Sequence, residues 1–172
     1  MEPDIFQPAV LYSYSTKRED VADFLNNVEH LAEVYPDYDF KIIGRSNWIT
    51  MTDDFGDKFE SYNVYIPSRV WIDEDSWEWK TFVKDYEEMF KNNPVRSIPN
   101  YAASGYDIIN YFIEEMFEKE GDVSKIGNWR MVNGLQNDIR LQKVSQGSGF
   151  INDIEYLIKF NPDGRREKVV VK

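Results

Sequence analysis

Ser104, within "NYAASGYDIINYFIEEMF" (residues 100–117), is the side chain that most invites a chemical role. A strained nucleophile elbow carries glycines two residues to either side of its serine, and here Ala102 and Tyr106 occupy those places. The serine would also need a base, and the chain holds a single histidine, His30. His30 falls off the apolar stripe of its segment, which suits a solvated side chain near a helix end. Serine hydrolysis therefore has little to stand on.

Other chemistries fare similarly. The chain has no cysteine, which removes thiolate catalysis, disulfides and cysteine-based metal centres, and one histidine cannot make a familiar zinc or di-iron set. Acidic clusters at 53–57 ("DDFGD") and 73–78 ("DEDSWE") read as solvated loops that lack calcium-loop spacing. "GSGF" (147–150) lacks the phosphate-loop ending and reads as a hairpin loop. Nothing in the spacing singles out a pair of carboxylates for glycoside hydrolysis. The more suggestive residues follow three strand-like runs: "SYS" at 13–15, "RSNW" at 45–48 and "SRVW" at 68–71. They put hydrogen-bonding groups beside flat apolar rings, a combination suited to ligand binding at the carboxyl ends of parallel strands. Trp48 and Trp71 fit core anchors equally well.

These residues must be positioned by the surrounding elements. "AVLYSY" (9–14) reads as a buried strand. A helix follows it, with Thr16 and Glu19 at capping-box spacing and Val21, Phe24, Leu25, Val28, Leu31 and Ala32 on one face. "FKIIG" (40–44) and "NVYIPS" (63–68) read as strands, separated by a stretch without clean period. Strands alternating with a helix predict a parallel α/β sheet. Ser76 caps a predicted helix to about Asn92, with Pro94 beyond it. The next helix, from residue 100, is predicted to bury Ala102, Tyr106, Ile109, Phe112, Ile113 and Met116, and to stop at Gly121. "DIRLQKV" and "IEYLIKF" alternate with period two, and "NPDGR" then turns into "EKVVVK", a closing hairpin.

With 172 residues, one domain is the default. Hydrophobic residues at 42% and aromatics at 16% predict a folded core despite 30% charged residues. A net charge of −11 argues against nucleic acid or an anionic membrane surface as partner. No apolar run approaches the ~18 residues of a membrane helix, and the first ten residues lack signal-peptide character, so the expectation is a soluble chain.

The order of these pieces resembles a known family. "VLYSYS", "FKIIGRSNW", "NVYIPSRVWID", "FVKDYEEMF", "IPNYAASGYDIINYF" and "GLQNDIRLQKV…GFINDIEYLIKFNPDG" are similar, in that order, to the later part of a type I periplasmic substrate-binding protein. The likeness is closest to the receptor-like regions attached to LysM peptidoglycan-binding modules. It is most recognisable in "YA-x-x-GYD" (Tyr101, Ala102, Gly105, Tyr106, Asp107), and it covers most of the chain.

The resemblance implies a parallel-sheet α/β lobe with flanking helices and a C-terminal β-hairpin, read as one domain that is a fragment of a two-lobed binding protein. In that reading residues 1–68 and 129–172 make a strand-rich lobe, and helices within 76–120 pack toward a missing one. It implies a non-catalytic, cofactor-free and metal-free protein of the cell envelope or periplasm, part of an ABC-transporter-type receptor. The ligand would be an amino acid, a peptide or a sugar-like molecule, with peptidoglycan held by a module outside this chain.

Carried over residue by residue, the ligand contacts are Ser13, Tyr14, Ser15, Arg45, Ser46, Asn47, Trp48, Asn100 and Tyr101. Amino-acid binders of the family often place an acid in the loop where this chain has Arg45, so an anionic or sugar-like ligand fits at least as well. Two further readings stay open: a scaffold domain with the same fold and no ligand, and a carboxylate- or metal-dependent glycan hydrolase. A missing lobe would also leave the aromatic faces at Phe82, Tyr86 and Phe112 uncovered, which predicts a homodimer through residues 76–120 or a rearranged packing there.

Overall fold

The computed structural model describes residues 9–122, 130–145 and 147–171. The chain is mixed α/β, and it divides into two compact units: one of the described residues within 1–68 and 156–172, the other Arg69–Glu155. The stretch 130–155, expected in the strand-rich lobe, falls instead with the helices. The reason is polar: its loop is bound to the helix Tyr101–Glu118 by buried hydrogen bonds described below.

The first unit runs β1 (Ala9–Tyr12), α1 (Arg18–Val34), β2 (Phe40–Ile43), a 3-10 helix (Ser46–Met51), α2 (Thr52–Ser61) and β3 (Val64–Ser68). It is completed by β6 (Glu155–Phe160) and β7 (Arg166–Val171). Strand order is β1-β2-β3-β6-β7, with β1, β2 and β3 parallel and β6 antiparallel to β3. Register places Leu11, Ile42, Val64, Ile66 and Ile158 on one face, where all but Leu11 are buried. Both helices pack there, α1 through Val21, Leu25 and Val28 and α2 through Phe59.

A chain of rings forms the centre of this core. Trp48 stacks on Phe59 with centroids 5.6 Å apart, Phe24 meets Trp48 edge-on, and Phe59 meets Phe160 in the same way. Each large side chain fully buried stabilises the fold by roughly 1.5–3 kcal/mol, so this row is a principal support of the unit. Gly44 is required beside it, because a Cβ there would lie 2.4 Å from Cε3 of Trp48.

Two local expectations are corrected. The N-cap of α1 is Lys17, with no side-chain cap, so Thr16 and Glu19 do not form a capping box. The helix begins too late for Thr16 to cap it, and the Thr16 carbonyl is taken by Asn47. The patternless stretch 45–62 holds the 3-10 helix and α2, so the "DDFGD" carboxylates sit on a helix, where Asp54 pairs with Arg18. Glycine at 56 and clustered acids hid its period. The predicted terminal hairpin is present: the Asn161 amide donates to the Arg165 carbonyl at 2.9 Å, and Gly164 takes φ +79° in the turn.

The second unit contains α3 (Trp77–Phe90), α4 (Tyr101–Glu118), and an antiparallel pair, β4 (Leu141–Lys143) with β5 (Phe150–Asn152). Ser76 caps α3 as its sequence predicts, its Oγ accepting the Trp79 amide at 3.1 Å. The Phe82 ring meets those of Trp79, Tyr86 and Tyr106. Tyr111 packs with Val132, Ile139 and Leu141.

The orientation of α4 differs from expectation. Its buried row is Ala103, Asp107, Tyr111 and Glu115, at steps of four residues, while Tyr106, Ile109, Phe112, Ile113 and Met116 are exposed. Bonds to a buried carboxylate override the apolar stripe. No helix among the described residues is long and apolar enough to cross a membrane.

Candidate functional site

Seven of the nine predicted contacts belong to the first unit, and the parallel pairing of β1 with β2 brings them together. Tyr12 is opposite Ile43, and the Ser13 amide donates to the Ile43 carbonyl at 3.2 Å, so the two chains leave the sheet side by side. Four of the seven then hold the loops to one another. Buried Ser13 accepts the Ser15 amide through Oγ, Trp48 Nε1 donates to the Ser15 carbonyl at 2.8 Å, and Asn47 Nδ2 donates to the Thr16 carbonyl at 2.9 Å.

The Trp48 ring is fully buried, which makes it a core anchor. Asn47 Oδ1 is a buried acceptor with no hydrogen-bond partner among the described residues, an arrangement that costs free energy unless something donates to it.

What this base presents outward is Tyr14, Arg45 and Ser46. Tyr14 is 76% exposed, and its ring meets that of Tyr12 edge-on at 4.5 Å. Arg45 is in extended backbone, and its guanidinium has no hydrogen bond or ion pair among the described residues. Tyr14 and Arg45 each lie two residues beyond the last pair of the ladder, Tyr12 with Ile43. The edge therefore combines an exposed cation with two aromatic rings, suited to a carboxylate, a phosphate or the face of a sugar ring.

Asn100 and Tyr101 belong to the other unit. Tyr101 is exposed, whereas every polar group of Asn100 is engaged inside the protein. Its Oδ1 caps α4 by accepting the Ala103 amide, its Nδ2 donates to the Val95 carbonyl, and its backbone N–H donates to Gln136 Oε1 at 2.6 Å.

Around this cap lies a polar cluster that sequence reasoning missed. The Asp107 carboxylate accepts the amides of Leu135, Gln136 and Asn137 at 2.6, 3.0 and 2.8 Å. Burial pushes its pKa up, against the opposite pull of those three amides. Gln136, 2% exposed, also donates through Nε2 to Ser104 Oγ at 2.7 Å, and Ser104 is bonded in turn to Asn137. Gly134 has no room for a Cβ, which would fall 2.3 Å from the Asn137 carbonyl oxygen. Both halves, "SGYD" and "GLQND", are visible in the chain, but nothing local says that they bind each other across about thirty residues. Ser104 is thus a bonded member of a structural cluster.

Glu115, also buried, has one carboxylate oxygen without a hydrogen-bond partner among the described residues, and no group of three or more metal-ligating side chains occurs among them. His30 is exposed and, among the described residues, lies near Glu33. The chain matches no protein-family model and no curated protein significantly.

Proposed function

We propose that this chain is a non-catalytic small-ligand-binding domain of a bacterial cell-envelope protein, resembling a periplasmic binding protein. The observation that carries the reading is the edge at the ends of β1 and β2, where exposed Tyr14 and an Arg45 with no ion pair among the described residues stand on a base fixed by Ser13, Ser15, Asn47 and Trp48. Rigid support beneath a few outward polar and aromatic groups is what a recognition site needs. Arg45 favours a ligand with a carboxylate or phosphate, and the tyrosine rings favour a sugar face. On this reading the protein resides in the periplasm, and peptidoglycan is held by a module outside this chain.

Thermal-shift measurements with amino acids, peptides, sugars and muropeptides test the proposal. A bound class at about 100 times its Kd stabilises by about 2.7 kcal/mol, or roughly 5–10 °C for a chain of this size. Arg45→Ala with Tyr14→Ala should abolish that shift without lowering the ligand-free Tm, since both side chains are exposed. No shift with any class overturns the reading. A second reading, an interaction domain without a small ligand, is favoured by the engagement of Trp48 and Asn100 in structure; it predicts no shift.

A further inference from the structure

We propose that the outward face of α4 pairs with α4 of a second copy of this chain, forming a two-fold helix pair. The inference is independent of the ligand site. By the helical period of about 100° per residue, Gly105, Ile109, Phe112, Ile113, Met116 and Phe117 share one half of the helix. Ile109 is 61% and Phe117 83% exposed. Ile109, Ile113 and Met116 follow at spacings of four and three, the period with which one helix packs on another, while Tyr106 at the edge of this half already meets Phe82 of α3. A shallow groove of about 370 Å³, lined by Ile113, Met116, Phe117, Glu120 and Gly121, continues the face and is large enough to receive an aliphatic or aromatic side chain.

Charge identifies the occupant. The four charged residues of α4 lie on the other half: Asp107 and Glu115 are buried, and Glu114 and Glu118 pair with Arg130. The outward half from Tyr101 to Phe117 carries no charge, in a chain that is 30% charged with a net charge of −11. From Tyr101 to Phe117 it offers a basic partner nothing to pair with, and two copies can meet through that stretch without opposing carboxylates, Glu120 lying only at the groove beyond it. Roughly half-exposed side chains of this size supply on the order of 700 Å² per copy, close to the ~800 Å² per partner of a stable interface. Gly105 adds an independent sign. Glycine inside a helix is unfavourable, and a Cβ there would meet nothing within 4 Å, so no packing among the described residues requires it. Its lack of a side chain leaves room for a second helix to approach closely.

The absence of native cysteine makes the test direct. Sedimentation of the full chain at about 50 μM, well above a micromolar Kd, should show a dimer. Ile109→Asp should weaken association by roughly 30-fold or more, while the circular dichroism spectrum and the Tm measured at high dilution stay unchanged. Ile109→Cys should form a disulfide-linked dimer on mild oxidation, and His30→Cys, exposed on α1, should not. A monomeric wild type, a dimer indifferent to Ile109→Asp, or equal cross-linking of the two cysteine variants each overturns the proposal.

Discussion

At the scale of single residues, Asp107 decides more than any other side chain of its unit. Asparagine in its place cannot accept at both positions, so at least one of the three amides loses its acceptor and faces an N–H instead. Asp107→Asn should therefore cost about 1–3 kcal/mol. The pH dependence carries a sign. Burial raises Asp107 above its ordinary 3.8, so the folded state binds that proton more readily than the unfolded chain. Its contribution to stability is then complete below 3.8 and is lost as pH rises through the raised value. Asparagine does not titrate, so the stability gap between wild type and variant should narrow from acid to neutral pH in urea titrations. A gap that widens would mean that the amide bonds outweigh burial. This residue was legible only as part of a motif: its type and its "GYD" setting are visible, but its partners at 135–137 have no local signature. Asn100 shows the converse, because one side chain suits a ligand clamp and a helix cap, and only its bonds to Ala103, Val95 and Gln136 decide.

At the scale of elements, what could be read depended on whether a signal was local. The Ser76 cap, the glycine turn at 161–165 and the strands β1, β2 and β3 were readable because each rests on a few neighbouring residues. Helix α2 was not, being ten residues long with an internal glycine. The facing of α4 was misread because its apolar residues outnumber the polar ones it buries. The two capping expectations separate cleanly by mutation. Ser76→Ala removes an acceptor that the Trp79 amide uses and should destabilise by about 1 kcal/mol. Thr16→Ala should leave stability within about 0.5 kcal/mol of wild type, because among the described residues its side chain makes no hydrogen bond and its carbonyl is what Asn47 uses. Chemical denaturation of the two variants side by side checks both, and comparable losses would restore Thr16 as a cap.

At the scale of the whole molecule, the two units are unequal in how the chain supplies them: one is continuous, and the other is assembled from both ends of the sequence. Ser68 and Tyr156, either side of the continuous unit, are paired neighbours on β3 and β6, and Arg69 and Glu155 follow them as an ion pair at 2.8 Å. The eighty-odd residues between thus leave and re-enter at one spot, as the tip of an ordinary hairpin would. In modular terms Arg69–Glu155 occupies the place of a turn between β3 and β6. A chain in which residues 70–154 are replaced by Asn-Gly, the dipeptide that suits a two-residue hairpin, should still fold, with the Trp48 ring shielded as in the full chain. Cooperative unfolding of that shortened chain, followed by Trp48 fluorescence, is the expected result; a noncooperative melt with an exposed indole would show that the sheet depends on its insert.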